Sequence, residues 1–165
     1  MKKFVIGIIV FTLLIIAGGA FLVSKAPNKA SLAKDENARL EIDHSQFNFG
    51  EVKLTSGILT HRYPIKNIGQ TDLKIANLAS SCACTKVYFK SGSGESPKAS
   101  MKGMTKVSSW VGVLAPQETG EMVIDFDPNF HGINGIGKIA RSLEFETNDP
   151  SHLRVEFNLS GEVTR

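Results

Sequence analysis

The sequence predicts an all-β fold, an antiparallel β-sandwich of about seven or eight strands that follows one N-terminal hydrophobic helix. Three observations support this prediction. Apolar and polar residues alternate along most of the chain after residue 39, clusters of Gly, Pro, Asn and Asp separate the alternating runs, and no amphipathic helix of useful length occurs there. Alternation with a period of two residues is typical of strands that bury one face.

The N-terminal residues 1–24 form a hydrophobic segment. Lys2 and Lys3 precede an uncharged run of 21 residues, Phe4–Ser24, and a helix needs roughly 20 such residues to cross a bilayer. We interpret the segment as a transmembrane signal anchor, with a signal peptide cleaved after Ala20 as the alternative. We therefore expect a single-pass membrane protein whose C-terminal domain lies in the periplasm or outside the cell, or a secreted domain after cleavage.

The rest of the chain divides into a linker and one domain. Residues 25–39 are polar and rich in small side chains, which is typical of a linker. Residues 40–165 are numerous enough to bury a core without disulfide bonds. Without Lys2 and Lys3, 17 of the 19 basic residues remain against 16 acidic ones. Because a nucleic-acid surface needs a basic excess, we expect no nucleic-acid partner.

The alternating runs place the strands, and Arg141 is the clearest interruption because it stands in an apolar row. The Ser-, Gly- and Lys-rich segment Ser91–Lys106 predicts a long surface loop or a loose hairpin. In chain order, the predicted strands are Gln46–Val52, Ile58–Asn67, Thr71–Leu78, Thr85–Lys90, Val107–Leu114, Glu121–Asp127, Lys138–Glu146 and Arg154–Ser160.

Six short motifs follow one another along the domain. They are FNFGEV (Phe47–Val52), IKNIGQTDLKI (Ile65–Ile75), SSCACT (Ser80–Thr85), LAPQETGEMVIDFDP (Leu114–Pro128), FETNDP (Phe145–Pro150) and LSGEV (Leu159–Val163). In this order they resemble the bacterial family of domain of unknown function 1573, over about Ile42–Val163. The resemblance implies an immunoglobulin-like sandwich in an exported and often anchored protein, and it implies no enzymatic activity. The sequence departs from the family at Ala83, where Gly is usual, and in the lengthened segment Ser91–Lys106.

The third motif contains the two cysteines of the chain, Cys82 and Cys84. In a strand, residues two apart point to the same face, so both sulfurs could bind one ion. Thiolates and thioethers suit Cu(I), and Met101 and Met104 follow on the long loop. His61 or His131 could complete such a site. A structural zinc site is disfavoured because it requires four ligands.

Two other interpretations of Cys82 and Cys84 remain open. A disulfide between them would close a small, strained and easily reduced ring, which is a property of redox-active pairs. Alternatively, the two side chains pack as small hydrophobic groups at the start of a strand, beside Trp110 or Phe89. The sequence alone leaves these three interpretations standing.

No catalytic motif occurs in the sequence, and no small-molecule substrate is indicated. We therefore predict a non-catalytic, membrane-anchored and envelope-exposed binding or scaffolding module, whose partners are other envelope proteins. The segment Ser91–Lys106 and the strand beside Cys84 are the expected contact surfaces. The first alternative is a metal-handling protein that binds Cu(I) through Cys82 and Cys84, and the second is a thiol–disulfide redox protein.

Overall fold

The protein was analysed as a computed structural model, which describes residues 2–24, 29–104 and 108–165. These residues form an N-terminal helix, α1 (Lys2–Ser24), a short 3-10 helix at Gly132–Gly135, and ten strands. The strands are β1 (Leu40–Ile42), β2 (Gln46–Lys53), β3 (Leu59–Asn67), β4 (Leu73–Ser80), β5 (Thr85–Ser91), β6 (Gly94–Glu95), β7 (Val111–Leu114), β8 (Thr119–Phe126), β9 (Gly137–Thr147) and β10 (Arg154–Thr164).

The strands form two five-stranded sheets, which confirms the prediction of a mostly β sandwich. One sheet has the order β1-β3-β8-β5-β6 and the other the order β2-β10-β9-β4-β7. Each described pairing is antiparallel except that of β10 with β2, which is parallel. All eight predicted strands overlap observed ones, although β7 begins only at Val111 and Val107 lies outside the described residues. Strands β1 and β6 were missed because two or three residues are too few to show alternation.

The core lies between the sheets and is filled by the apolar positions of the alternating runs. Tyr63 on β3 packs on Phe157 of β10, with ring centroids 4.6 Å apart, and Phe157 meets Phe145 of β9 edge-on at 5.5 Å. All three rings are fully buried. The Tyr63 hydroxyl donates to the Asn158 carbonyl at 2.7 Å, so its polar end is satisfied. Aromatic groups of this kind supply much of the free energy of burial.

The segment predicted as a loop or loose hairpin is a hairpin whose second half is held against the sandwich. Strand β6 pairs with the end of β5, and Ala99, which is buried, exchanges backbone hydrogen bonds with Val87 of β5. Two residues later, Met101 bridges to Ser80 of β4 in the other sheet. The segment therefore connects the edges of both sheets on one side of the sandwich. The end of the segment, Thr105 and Lys106, lies outside the described residues.

The described part of the predicted linker, residues 29–39, also lies against the domain. Ala38 is fully buried, and the Gln70 N–H donates to the Asn37 carbonyl at 2.8 Å. A Cβ added to Gly69 would lie 2.3 Å from that same carbonyl oxygen, so the two backbones approach as closely as glycine allows. Residues 25–28 are outside the described part of the chain.

Two motif turns are built on buried polar side chains. In the turn after β3, the Asn67 amide donates to the carbonyls of Thr71 (2.8 Å) and Leu114 (2.9 Å), and its oxygen accepts from the Gly69 N–H at 2.9 Å. After β9, the Asn148 oxygen accepts from the Lys74 N–H at 2.7 Å. These side chains replace backbone partners that the turns cannot provide, which explains why the motifs carry Asn.

Asp149, in the same turn as Asn148, holds the first strand of the domain. Its carboxylate accepts from the Leu40 N–H at 2.9 Å and from the Ser151 N–H at 2.8 Å. Burial opposes its ionisation, but these hydrogen bonds and the contact with His152 hold the pKa of Asp149 below its usual value. The ionised form of the Asp149 carboxylate is therefore the form that stabilises the fold.

Helix α1 spans the segment that the sequence predicts as a signal anchor or signal peptide. Within the part of the chain that the structure describes, no helix is found to be long and apolar enough to cross a membrane.

Candidate functional site: a cysteine turn with histidine and arginine

The two cysteines lie in the turn between β4 and β5. The Thr85 N–H donates to the Cys82 carbonyl at 3.1 Å and closes this turn. The buried Ser80 hydroxyl lies 2.8 Å from the Cys82 carbonyl and 2.7 Å from the Thr85 carbonyl, so it braces the turn from inside. The thiols therefore come together through a turn rather than through the pleat of an extended strand.

The turn places the two sulfurs in direct contact as free thiols. Their Sγ atoms are 2.7 Å apart, and the Cys84 N–H points to the Cys82 Sγ at 3.5 Å. Cys84 is only 2% exposed, whereas Cys82 is half-buried and reaches solvent. The pair is therefore asymmetric, with an inner thiol held by the protein and an outer thiol open to solution.

Two further side chains reach the thiols from the strand β9 and the loop before it. His131, in the loop between β8 and β9, has its Nε2 at 3.4 Å from the Cys82 Sγ. Arg141, on β9, donates from its Nε to the Cys84 Sγ at 3.2 Å and from its Nη1 to the Ala140 carbonyl. Arg141 is the residue that interrupts the apolar row of β9. This interruption was the sequence signal for its role, and the scattered distribution of the histidines gave no comparable signal for His131.

The surroundings of the two thiols move their pKa values in opposite directions. Burial disfavours the Cys82 thiolate, but hydrogen bonds with Cys84 and His131 and the charge of Arg141 outweigh it and lower the pKa of Cys82 to about 7. Burial and the hydrogen bond with Cys82 raise the pKa of Cys84, which Arg141 only partly offsets. One thiolate shared by the pair is therefore favoured near neutral pH.

Of the candidates for completing a metal site, the structure brings His131 to the cysteines and leaves His61 elsewhere. The two sulfurs and a ring nitrogen of His131 all lie within 4.8 Å of one another. His61 is instead stacked on Phe47, with ring centroids 3.6 Å apart, and its Nε2 is 3.1 Å from the His44 Nε2. Thiolate sulfur and imidazole nitrogen are ligands for soft and borderline metal ions.

The described contacts of the two methionines predicted as helpers lie away from the sulfurs. The hydrogen bonds described for the two sulfurs run to one another, to His131, to Arg141 and to Thr85. Met104 is exposed and lies in the wall of a separate groove. Met101 is held through its backbone beside Ser80. The thioether ligands stay a prediction, whereas the imidazole of His131 lies beside the two sulfurs.

That groove is the second notable feature and has a volume of about 700 Å³. It lies along the edge of β4 that faces β7. On this edge β7 pairs with β4 only as far as Ala76, and the next partner is Met101 opposite Ser80, so Asn77–Ala79 face the groove between them. The pairing of β4 with β9 shifts register at the same place, which marks a β-bulge, and Asn77 has a positive φ of 57°. Bulges commonly accompany functional edges.

The groove has an apolar floor and a charged rim. Leu78, Pro97, Met104 and Trp110 contribute apolar surface. Lys29 forms an ion pair with Glu146 at 2.6 Å, and Lys102 forms one with Glu144 at 3.1 Å, both within its lining. The contact surface that the sequence predicts at the strand beside Cys84 lies on β5 rather than on β4. Much of β5 is covered by β6 and by the pairing of Ala99, so the open edge on this side belongs to β4.

Comparison with known families agrees with the motif pattern. Residues 40–103 match the model of a protein family of unknown function, DUF1573. The resemblance to this family is thereby confirmed. The DUF1573 match contains the first three motifs, including the cysteine turn, and ends before the motifs at Leu114–Pro128, Phe145–Pro150 and Leu159–Val163. A comparison with curated proteins finds no significant match.

Several solved structures are similar to this chain. A protein of unknown function from Porphyromonas gingivalis W83 matches with a TM-score of 0.56 and 15% identity, over 80% of this chain and 50% of that one. This chain thus spans about half the length of that protein. A PapD-like domain of human CEP192 matches at TM-score 0.49 and 20% identity, over 86% and 96% of the two chains. The YadV chaperone matches with a TM-score of 0.41 and 8% identity, over 76% of this chain and 52% of that one. The likeness to the Porphyromonas gingivalis protein concerns the fold alone, and fold does not fix function.

Proposed function

We propose that the protein is a non-catalytic binding or scaffolding module, which captures an extended segment of a partner protein in the groove beside β4. The observation that carries this proposal is the interrupted edge of β4. Among the described residues, β4 has no strand pairing between Ala76 and Ser80 on the side of β7, where the Asn77 side chain donates to the Ala30 carbonyl at 2.9 Å, and the groove opens along this stretch. An edge with open pairing positions is the element to which an added strand binds.

The dimensions of the gap favour a short extended peptide. Three residues, Asn77–Ala79, span about 10 Å at roughly 3.3 Å per residue. The floor formed by Leu78 and Trp110 offers apolar contacts for alternate side chains of such a segment. The Lys and Glu pairs on the rim offer charged partners of both signs. Backbone pairing would supply affinity and the floor would supply selectivity.

The test uses a photo-crosslinking amino acid placed at Met104, with Ile58 as the matched control position. Both side chains are apolar and 66% exposed, and Ile58 lies in the connection between β2 and β3, outside the groove lining. In cells, we expect the probe at Met104 to crosslink to a defined envelope protein and the probe at Ile58 to leave that protein uncrosslinked. The captured protein is then purified for binding measurements.

The binding measurement decides the proposal. We expect Met104→Glu to weaken the affinity for the purified partner at least about tenfold, since a charge would enter an apolar contact. Ile58→Glu should leave the affinity unchanged, and so should the double variant Cys82→Ser with Cys84→Ser. Equal loss of affinity in both Glu variants, or no loss in either, would refute the groove as the binding surface.

We also propose that the N-terminal segment directs the domain into the envelope and keeps it at the membrane. The uncharged run Phe4–Ser24 behind Lys2 and Lys3 supports this proposal. Fractionation of cells followed by intact-mass measurement tests it. Recovery of the uncleaved chain in the alkali-resistant membrane fraction is the expected result. A chain that starts after residue 20 would favour the secreted form, and a chain in the cytoplasm would contradict both.

A further inference from the structure

Three ligand atoms that the binding function does not use converge at one end of the sandwich. The Cys82 and Cys84 sulfurs come from the β4–β5 turn, and the His131 Nε2 comes from the β8–β9 loop. They approach from two connections far apart in sequence, so the domain as a whole fixes their convergence. The groove beside β4 has none of these residues in its lining.

We propose that Cys82, Cys84 and His131 bind one Cu(I) ion in a three-coordinate site with two sulfur ligands and one nitrogen ligand. Binding releases to solvent whatever protons the two thiols still carry, and the copper stays monovalent, so no electron is transferred. Soft thiolates favour Cu(I) over hard cations. Among the described residues, three ligands are grouped here, one fewer than a structural zinc site uses.

The charge of Arg141 favours a monovalent ion. Two thiolates with one Cu(I) carry a net charge of −1, and the guanidinium that donates to the Cys84 Sγ at 3.2 Å balances it. With a divalent ion the same set would carry a net charge of +1 in a partly buried place, which is costly. Arg141 therefore acts as a positioning residue. It holds the Cys84 sulfur and neutralises the complex without touching the ion.

The asymmetry of exposure allows the ion to enter. Trigonal coordination with bonds of about 2.3 Å requires the sulfurs to separate to roughly 4 Å, and the two Sγ atoms lie 2.7 Å apart in the structure. Cys84 is fixed by Arg141 and Thr85, so the half-buried Cys82 would supply the movement. His131 is exposed and lies on the open side of the pair. An ion delivered from solution would thus meet Cys82 and His131 first.

The test is an anaerobic titration of the reduced full chain, in detergent, with Cu(I) in competition with a chromophoric Cu(I) chelator. We expect one equivalent to bind. Affinity should fall at least about 100-fold in Cys82→Ser or Cys84→Ser, and about 10- to 100-fold in His131→Ala and in Arg141→Met. His44→Ala is the matched control, since His44 pairs with His61 away from the site, and it should bind like the parent chain.

X-ray absorption at the copper edge keeps the proposal testable if a variant fails to fold. On the loaded parent chain we expect two sulfur neighbours and one nitrogen neighbour per copper. A site with sulfur neighbours alone, or an affinity unchanged in His131→Ala, would overturn the assignment of His131. Failure of the reduced chain to compete for Cu(I), or oxidation of the cysteines to a disulfide on addition of copper, would overturn the metal site itself.

Discussion

The turn after β3 and the turn between β4 and β5 come from neighbouring family motifs. The polar side chains of the two turns nevertheless differ in their hydrogen-bond partners and in their exposure to solvent. In the first, the Asn67 side chain is fully buried and bonds to three backbone groups within the domain. In the second, the inner thiol is buried, but Cys82 and His131 reach solvent. In the cysteine turn, the buried Ser80 hydroxyl contacts the backbone carbonyls of the turn, as the Asn67 side chain does in the turn after β3.

The difference separates residues needed for folding from residues available for chemistry. A buried polar group with all its partners inside the protein stabilises one conformation. A thiol that shares its partners with solvent contributes less to the fold and remains free to react or to bind an ion. Substitutions in the turn after β3 should therefore change the stability more than the thiol chemistry. Substitutions in the cysteine turn should change the thiol chemistry more than the stability.

The largest expected effect is on stability. Asn67→Ala removes the partner of the Gly69 N–H, of the buried Leu114 carbonyl and of the part-buried Thr71 carbonyl, and each buried unsatisfied group costs about 1–3 kcal/mol. We expect the free energy of unfolding, measured by denaturant titration, to fall by at least about 2 kcal/mol. A loss below about 0.5 kcal/mol would remove the basis for treating this turn as structural.

The matched change in the cysteine turn should have little effect on stability. Cys82→Ser is a small substitution at a half-buried position, and the turn remains braced by Ser80. We expect the free energy of unfolding of the metal-free chain to change by less than about 0.5 kcal/mol. A loss as large as that of Asn67→Ala would mean that the outer thiol is itself structural, and the contrast between the turns would fail.

Thiol reactivity distinguishes the two cysteines from each other. In the reduced, metal-free protein, alkylation of Cys82 should increase with pH around an apparent pKa of about 7. Cys84, which is buried and has a raised pKa, should react more than roughly tenfold more slowly. His131→Ala should raise the pKa of Cys82, because one of the hydrogen bonds that lower it is lost. Mass spectrometry of the alkylated peptides follows both rates, and equal rates would contradict the asymmetry.

The smallest expected effect concerns mild acid and separates His61 from the cysteine turn. Burial and the proximity of His44 lower the pKa of His61 below the ordinary histidine value of 6.5. His61 therefore binds a proton more readily in the unfolded chain than in the folded one. The stability that the neutral ring provides above pH 6.5 is lost as the pH falls through the pKa of His61 in the folded chain.

The measurement is the melting temperature between about pH 7.5 and about pH 5.5, a window in which histidine titrates. We expect it to fall with pH in the parent chain and to fall less in His61→Phe, which keeps the stacking on Phe47. The lowered pKa of Cys82, about 7, adds a loss of stability in the same window, so both chains are also measured with Cys82→Ser. His61→Phe should weaken the dependence on pH in that background as well, and an unchanged dependence there would contradict the role of His61.

Much of the fold could be predicted from the sequence because alternation and turn residues are local signals. All eight predicted strands occur, and Arg141 could be recognised as an exception in an apolar row. The short strands β1 and β6 could not, since two or three residues carry no period. The packing of residues 29–39 was equally hidden, because the contact of Gly69 with Asn37 depends on chain segments that are distant in sequence.

The candidate site was predictable only in part for the same reason. Cys82 and Cys84 are two residues apart in the sequence, so their proximity was evident. His131 follows Cys82 by 49 residues and joins the pair only because the β8–β9 loop lies at the same end of the sandwich. Met101 and Met104 were close in sequence, but the pairing of Met101 with Ser80 directs that segment along β4, toward the groove.

The measurement that tests the central claim most directly is the native mass of the protein, purified from the envelope without reductant or chelator and then denatured in the presence of an alkylating reagent. We predict one copper per chain in the native state and two alkylated cysteines after denaturation, with the copper absent from His131→Ala purified in the same way. A metal-free chain that is two hydrogens lighter and resists alkylation would contradict this account, because it would show that Cys82 and Cys84 are joined in a disulfide.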